Sequence, residues 1–155
     1  MKTLYLLLLL SGASIHAMDT NVHIVPFDGE KHYNVTRDLL RNAGVYPDGL
    51  TNRGVRVLVR PYPATRSKRP DKVLGAVVYE TKQFLEITDT WILALAIASQ
   101  YQRKGYGTML MRHMESIPSD KPHHIHLWSS VKAAPFYKKL GYQGDCFMKK
   151  TIKKN

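Results

Sequence analysis

Apolar positions recur along the chain at two spacings, and the switches between them predict its elements. Val22, Ile24 and Phe27 alternate with polar neighbours, as in a strand with one buried face. A turn at Asp28 and Gly29 follows, after which Tyr33, Arg37, Leu40 and Arg41 sit at helical spacing until Gly44 stops the pattern. Val55, Val57 and Val59 alternate with Arg56 and Arg60, and the run from Val73 to Tyr79 is apolar and β-branched. Together these two runs predict a hairpin whose long exposed loop carries Pro61, Pro63 and Pro70.

From Thr90 to Ala98 the period is two, with Trp91, Leu93, Leu95 and Ile97 on one face and Ile92, Ala94, Ala96 and Ala98 on the other. The methyl-sized face fits either a helix packed close on the sheet or a slim ligand chain lying beside the strand. Residues Arg103 to Ile117 place Tyr106, Met109, Leu110, His113, Met114 and Ile117 at three- and four-residue steps and end at Pro118, which predicts an amphipathic helix. A short strand from His124 to Trp128, a short helix from Ala133 to Leu140 closed by Gly141, and a last strand from Cys146 to Ile152 complete the order. This is a mixed α/β chain without internal repeats.

The first seventeen residues stand apart. Lys2 precedes the apolar run Leu4 to Leu10, and small residues follow as far as Ala17, so residues 1–17 are expected to be a secretory signal peptide with residues 18–155 as one folded domain. The apolar run is shorter than the roughly 20 residues that cross a bilayer, so no stable membrane anchor is expected. An exported protein is the first expectation; a cytoplasmic protein starting at Met18 is the second.

Composition narrows the partners. A length of 155 residues suits a single domain with its own core, and 44% hydrophobic with 23% charged residues is globular. The net charge of +11 attracts anions, whether nucleotide phosphates, RNA or an anionic membrane. Much of it lies between Arg56 and Lys72 and in the tail Lys149, Lys150, Lys153 and Lys154, where solvated loops are the simplest reading. Cys146 is the only cysteine, which excludes an intramolecular disulfide and a thiol metal cluster. His123, His124 and His126 raise a metal reading, but no carboxylate or cysteine stands beside them in sequence, and a basic strand entrance is the expectation.

Between the buried strand and the amphipathic helix stands Gln102-Arg103-Lys104-Gly105-Tyr106-Gly107. Two glycines there cost about 1 kcal/mol each against alanine if they serve only as helix residues. Glycine admits close approach of a ligand to the backbone, and the free N–H groups of a helix's first turn bind anions, a diphosphate being the natural guest. The segment lacks the Gly-Lys-Ser/Thr ending of an NTPase phosphate loop, which makes ATP the poorer guest. Downstream, Ala133-Ala-Pro-Phe-Tyr-Lys-Lys-Leu-Gly-Tyr142 forms a second motif.

The stretch from Leu95 to Gly107 resembles the coenzyme A signature of the GNAT superfamily of N-acetyltransferases, and the second motif resembles that superfamily's other hallmark, Ala-x-x-Phe-Tyr followed by Gly and an aromatic. The resemblance implies a twisted, mostly antiparallel sheet of six to seven strands, splayed at the coenzyme A site and flanked by about four helices. It implies acetyl-CoA as co-substrate, no metal, and direct transfer of the acetyl group to an amine, on a small molecule or a protein lysine, within a ternary complex. By the same likeness, backbone amides from Arg103 to Thr108 hold the pyrophosphate, with Gln102, Lys104, Gly105, Tyr106 and Gly107 in that turn. The strand backbone near Leu95 and Ile97 pairs with the pantetheine arm, Ala133 and Phe136 complete the wall, and Tyr137 protonates the departing thiolate. Ser130 stands where the superfamily often has Asn, and its hydroxyl offers fewer hydrogen bonds.

A general base is expected to be Asp, Glu or His at the acceptor end of the cleft, with Glu80, Glu86, Asp89 and His126 as candidates and Asp89 or Glu86 first because they precede the coenzyme strand. The acceptor pocket is expected in the loops Tyr46 to Arg53 and Arg60 to Lys72. No nucleic-acid partner is expected, and the protein is read as a monomer or homodimer. The alternatives are a non-catalytic acyl-CoA-binding module, for which Ser130 and the lack of an evident base speak, and a basic RNA-binding module, which has the charge but no RNA-reading motif.

Overall fold

The computed structural model describes residues 21–45, 50, 53–61 and 71–153. The expected signal peptide and most of both acceptor loops therefore lie outside the described residues. Seven strands form one sheet in the order β1-β2-β3-β4-β5-β7-β6, in which β4 and β5 are parallel and every other pair is antiparallel. The strands are β1 (His23–Pro26), β2 (Gly54–Arg60), β3 (Lys72–Gln83), β4 (Thr88–Ile97), β5 (His123–Trp128), β6 (Gln143–Gly144) and β7 (Phe147–Ile152). Three α-helices, α1 (Gly29–Asn42), α2 (Tyr106–Glu115) and α3 (Ala134–Lys139), and a 3-10 turn at Ser99–Tyr101 complete the described residues.

The turn expected at Asp28 is the start of α1 itself. The Asp28 carboxylate accepts the amides of Glu30 at 3.0 Å and Lys31 at 3.2 Å, satisfying two of the donors that a helix start leaves over. Gly44, at φ +75°, adopts the left-handed conformation beyond the helix end that glycine takes most easily.

Two cores form, one on each face of the sheet. Leu74, Val77, Ile125, Leu127 and Met148 face α2 and α3, where they meet Leu110, Met111, Met114 and Leu140. On the opposite face Val57, Ala76, Val78, Ala94 and Ala96 pack with Leu40 of α1. The alanines of β4 thus serve close packing near a helix, which settles the choice their size left open.

One expectation needs correction. β4 does not keep a strict period of two, because Val78 faces Ala94 and the next β3 residue, Tyr79, faces Ile92, leaving Leu93 as a bulge. The bulge turns the strand over. Ile92 belongs to the α2 side and Ala94 to the α1 side, so Trp91 no longer shares a face with Leu95 and Ile97.

The short hairpin β6–β7 was absent from the apolar pattern because it depends on one glycine. Gly144 has φ +112°, and a Cβ there would run into the Phe147 carbonyl oxygen. Gly144→Ala is expected to lower stability by ~1–3 kcal/mol, the usual cost of forcing such a backbone conformation, read as a drop in urea midpoint. An unchanged midpoint would show that the hairpin relaxes freely.

Candidate functional site

The site begins where two strands part. β4 and β5 are paired from Thr88 opposite His123 to Ile92 opposite Leu127, and β4 then continues to Ile97 paired with β3 alone. Residues Leu93 to Ile97 therefore present their β5-side backbone groups to a wedge in the sheet. Hydrogen-bonding groups on such an edge call for a partner.

A cavity of about 550 Å³ fills the wedge on the α2 side, a volume that suits a sizeable ligand. Leu95 and Ile97 form its strand wall. At one end the chain turns from β4 into α2 through two left-handed residues, Arg103 at φ 58° and Gly105 at φ 83°. For the non-glycine Arg103 that conformation costs about 1–2 kcal/mol, a strain of the kind that collects at functional sites. The Gln102 side-chain amide donates to the Ile97 carbonyl at 3.0 Å and ties the turn to the strand end. The first intrahelical bond of α2 runs from the Met109 N–H to the Gly105 carbonyl at 3.0 Å, so the amides of Tyr106, Gly107 and Thr108 precede it and are the free donors of a helix N-terminus.

Of the residues expected in this turn, Gln102, Arg103, Gly105, Tyr106, Gly107 and Thr108 all line the cavity. Lys104 is placed otherwise, with its ammonium 5.6 Å from the centre of the Tyr101 ring. The facing wall is the start of α3, where Ala133, Phe136 and Tyr137 line the cavity. Gly107 lies against Phe136, since a Cβ would come within 3.4 Å of the ring. Pro135 falls in the first turn of α3, where its missing N–H costs nothing. The Ser130 hydroxyl accepts the Ala133 amide at 3.3 Å, so it helps to begin α3 and does not line the cavity.

Tyr137 is only 8% exposed. Its ring meets Phe136 and Tyr142 edge-on, with centroids 4.9 Å and 5.9 Å away. Burial pushes its phenol up to about 12, so it holds its proton throughout the neutral range.

Two lining residues escaped the sequence reading, Tyr101 and Lys132. Around the Tyr101 ring stand Arg60, Lys72 and Lys104 at 5.7, 5.3 and 5.6 Å. Lys72, by a hydrogen bond to the Tyr101 phenol, holds it below its ordinary value. Arg60 and Lys72, which end β2 and begin β3, are thus held on strands beside a residue of the cavity wall, although neither lines the cavity itself. The charge run contained them, but only the fold shows which of its members gather round Tyr101.

The base candidates lie elsewhere. Glu86 is in the β3–β4 turn, and Glu80 pairs with Arg53 at 3.3 Å. Asp89 sits six residues before Leu95, about 20 Å along the strand, and bridges His124 and His126 on the face away from the cavity. None of them lines the cavity.

The acetyltransferase (GNAT) domain profile matches residues 64–144, more than half of the chain. The chain belongs to the GNAT acetyltransferase family. No curated protein sequence matches it. Among solved structures it is similar to Arabidopsis thaliana Naa50 in complex with the bisubstrate analogue CoA-Ac-MVNAL, at 16% identity over 84% of this chain and 99% of that one, with a TM-score of 0.64. It is also similar to AtaTR bound with acetyl-CoA, at 19% identity over 85% and 94% of the two chains and a TM-score of 0.61. A Trypanosoma brucei acetyltransferase matches at 18% identity over 79% and 93%, with a TM-score of 0.57. At these identities the likeness is one of fold, and the seven-stranded mixed sheet is that of the GNAT fold.

Proposed function

We propose that this GNAT protein transfers an acetyl group from acetyl-CoA to a primary amine, with both substrates bound together. The observation that carries the reading is the open edge of β4, which runs along the cavity and ends at the left-handed turn and the N-terminus of α2. Coenzyme A has the matching parts in the matching order. Its pantetheine arm carries amides that can pair with the free strand edge, and its pyrophosphate suits the amides of Tyr106, Gly107 and Thr108 with positive charge beside them. That AtaTR with acetyl-CoA and Naa50 with a coenzyme A bisubstrate analogue share this fold supports coenzyme A as the ligand.

In the transfer the amine nitrogen forms a bond to the thioester carbonyl carbon, and the carbon–sulfur bond breaks. Tyr137, buried and protonated in the cavity wall, is the side chain placed to give its proton to the leaving sulfur. Holding amine and thioester in line supplies much of the remaining rate. The amine attacks in its neutral form, its excess proton passes to water in the cleft, and Tyr137 recovers a proton from that water, so no side chain of the cavity has to act as base.

Titration calorimetry of the protein with acetyl-CoA, beside a thiol-release assay over a panel of amines, tests the reading. One acetyl-CoA per chain and thiol release that depends on an amine are expected. Binding without release for any amine would favour the non-catalytic module, and no binding would sink the proposal.

A further inference from the structure

The strand pair that opens the wedge carries a second cluster on the face away from the cavity. In the parallel register Asp89 stands opposite His124 and Trp91 opposite His126. Alternate residues of a strand share a face, so His124 and His126 project together and the register brings Asp89 beside them. A single carboxylate oxygen, Oδ1 of Asp89, lies 3.3 Å from Nδ1 of His124 and 3.3 Å from Nε2 of His126. One donor atom from each of the three side chains falls within 4.8 Å of the other two.

We infer that Asp89, His124 and His126 form a binding site for a divalent transition-metal ion of the zinc class. Ligands about 2.0–2.1 Å from a tetrahedral ion stand roughly 3.3 Å from one another. Two of the three donor separations already have that length. Two imidazole nitrogens with one carboxylate oxygen suit Zn²⁺, Fe²⁺ or Co²⁺, whereas Ca²⁺ and Mg²⁺ call for oxygen donors throughout. The side chains of Asp89, His124 and His126 are 21%, 20% and 10% exposed, which leaves a path for an ion and a position for water.

The neighbours hold the ligands in place beforehand. The His126 ring is stacked on Trp91 with centroids 4.9 Å apart and on Phe147 with centroids 5.8 Å apart. Its Nδ1 has no hydrogen-bond partner, so its orientation is set by these rings, by the His124 ring edge-on at 6.0 Å and by the Asp89 contact. Such preorganisation is what a metal site needs. An ion here would clip β4 to β5 just before their last pair, Ile92 and Leu127, and so fix the base of the wedge. Nothing in the family match calls for this metal, and acetyl transfer does not use it.

The test uses the full chain, stripped of metal by a chelator and desalted. Zn²⁺ is titrated calorimetrically, Co²⁺ is followed by its visible absorption, and thermal melts are recorded with and without Zn²⁺. The expected result is one ion per chain, a Co²⁺ spectrum of low-coordinate type, and a Tm that climbs with Zn²⁺ concentration as ligand linkage requires. Asp89→Asn and His124→Ala should each weaken Zn²⁺ binding by ~100-fold or more, beyond the ~10–100-fold that loss of a mere outer-shell partner costs. His124→Ala should keep its metal-free Tm and its affinity for acetyl-CoA, and it decides alone if Asp89→Asn does not fold. Absence of one-to-one binding in the unsubstituted chain, or Zn²⁺ affinity unchanged in His124→Ala, would overturn the inference and leave Asp89 as a hydrogen-bond partner of the two imidazoles.

Discussion

Tyr137→Phe is expected to lower kcat by ~10²-fold or more, at the scale a positioned proton donor contributes, while acetyl-CoA binds as before. The substitution removes one oxygen and keeps the ring that packs against Phe136 and Tyr142. A contact made only as the sulfur leaves should lower kcat and kcat/KM together, and that joint fall is the signature to look for in thiol-release kinetics beside calorimetry. Burial holds the phenol up at about 12, so the rate should show no alkaline decline through Tyr137 at any lower pH. Stability behaves differently. The unfolded phenol titrates near its ordinary value of 10.0 and the folded one higher, so the stabilising contribution is complete below 10.0 and is lost as pH rises through about 12. Tyr137→Phe should therefore lose less stability than the unsubstituted chain over that window. A kcat that survives the substitution would remove Tyr137 from proton donation and leave it as core.

What the sequence revealed depended on distance along the chain. The strand and helix order followed from local periodicity, and Gly105, Gly107 and Tyr137 stood out because each motif is a contiguous string whose residues end up in one cavity wall. Features made by pairing were not legible. The bulge at Leu93 slips the register where both faces of β4 are apolar, so no break in the hydrophobic pattern announces it. Tyr101 receives Arg60 and Lys72 from strands that precede it by several turns of chain, and the same run of cations would have looked identical in a solvated loop. Asp89 joins His124 and His126 only because β4 and β5 are parallel and in that register. Three histidines searched for a carboxylate beside them in sequence find none, although the neighbouring strand β4 supplies Asp89.

Gly105→Val is expected to weaken acetyl-CoA binding by ~10²–10⁴-fold with the protein still folded, because a hydrogen bond to a charged phosphate contributes about 1.5–3 kcal/mol and two would be lost. At φ 83° a β-branched residue is disfavoured by at least ~1–2 kcal/mol, so the turn must rotate toward negative φ. That rotation swings the preceding segment, Arg103 included, across the first turn of α2 and hinders a phosphate from reaching the Tyr106 and Gly107 amides, although Gly105 still offers its carbonyl to Met109. Gly107→Ala provides the contrast. Its new Cβ would stand 3.4 Å from Phe136 and 3.9 Å from Ile97, near ordinary contact, and the backbone there needs no left-handed conformation. A drop in affinity of less than ~10-fold, or 1.4 kcal/mol, is the expectation for it. Calorimetry on both variants thus separates two requirements that the Gly-x-Gly string presents as one, backbone hand at Gly105 and clearance at Gly107. If Gly105→Val binds acetyl-CoA as tightly as the unsubstituted chain, the pyrophosphate does not rest on this turn, and the cations around Tyr101 become the better place for it.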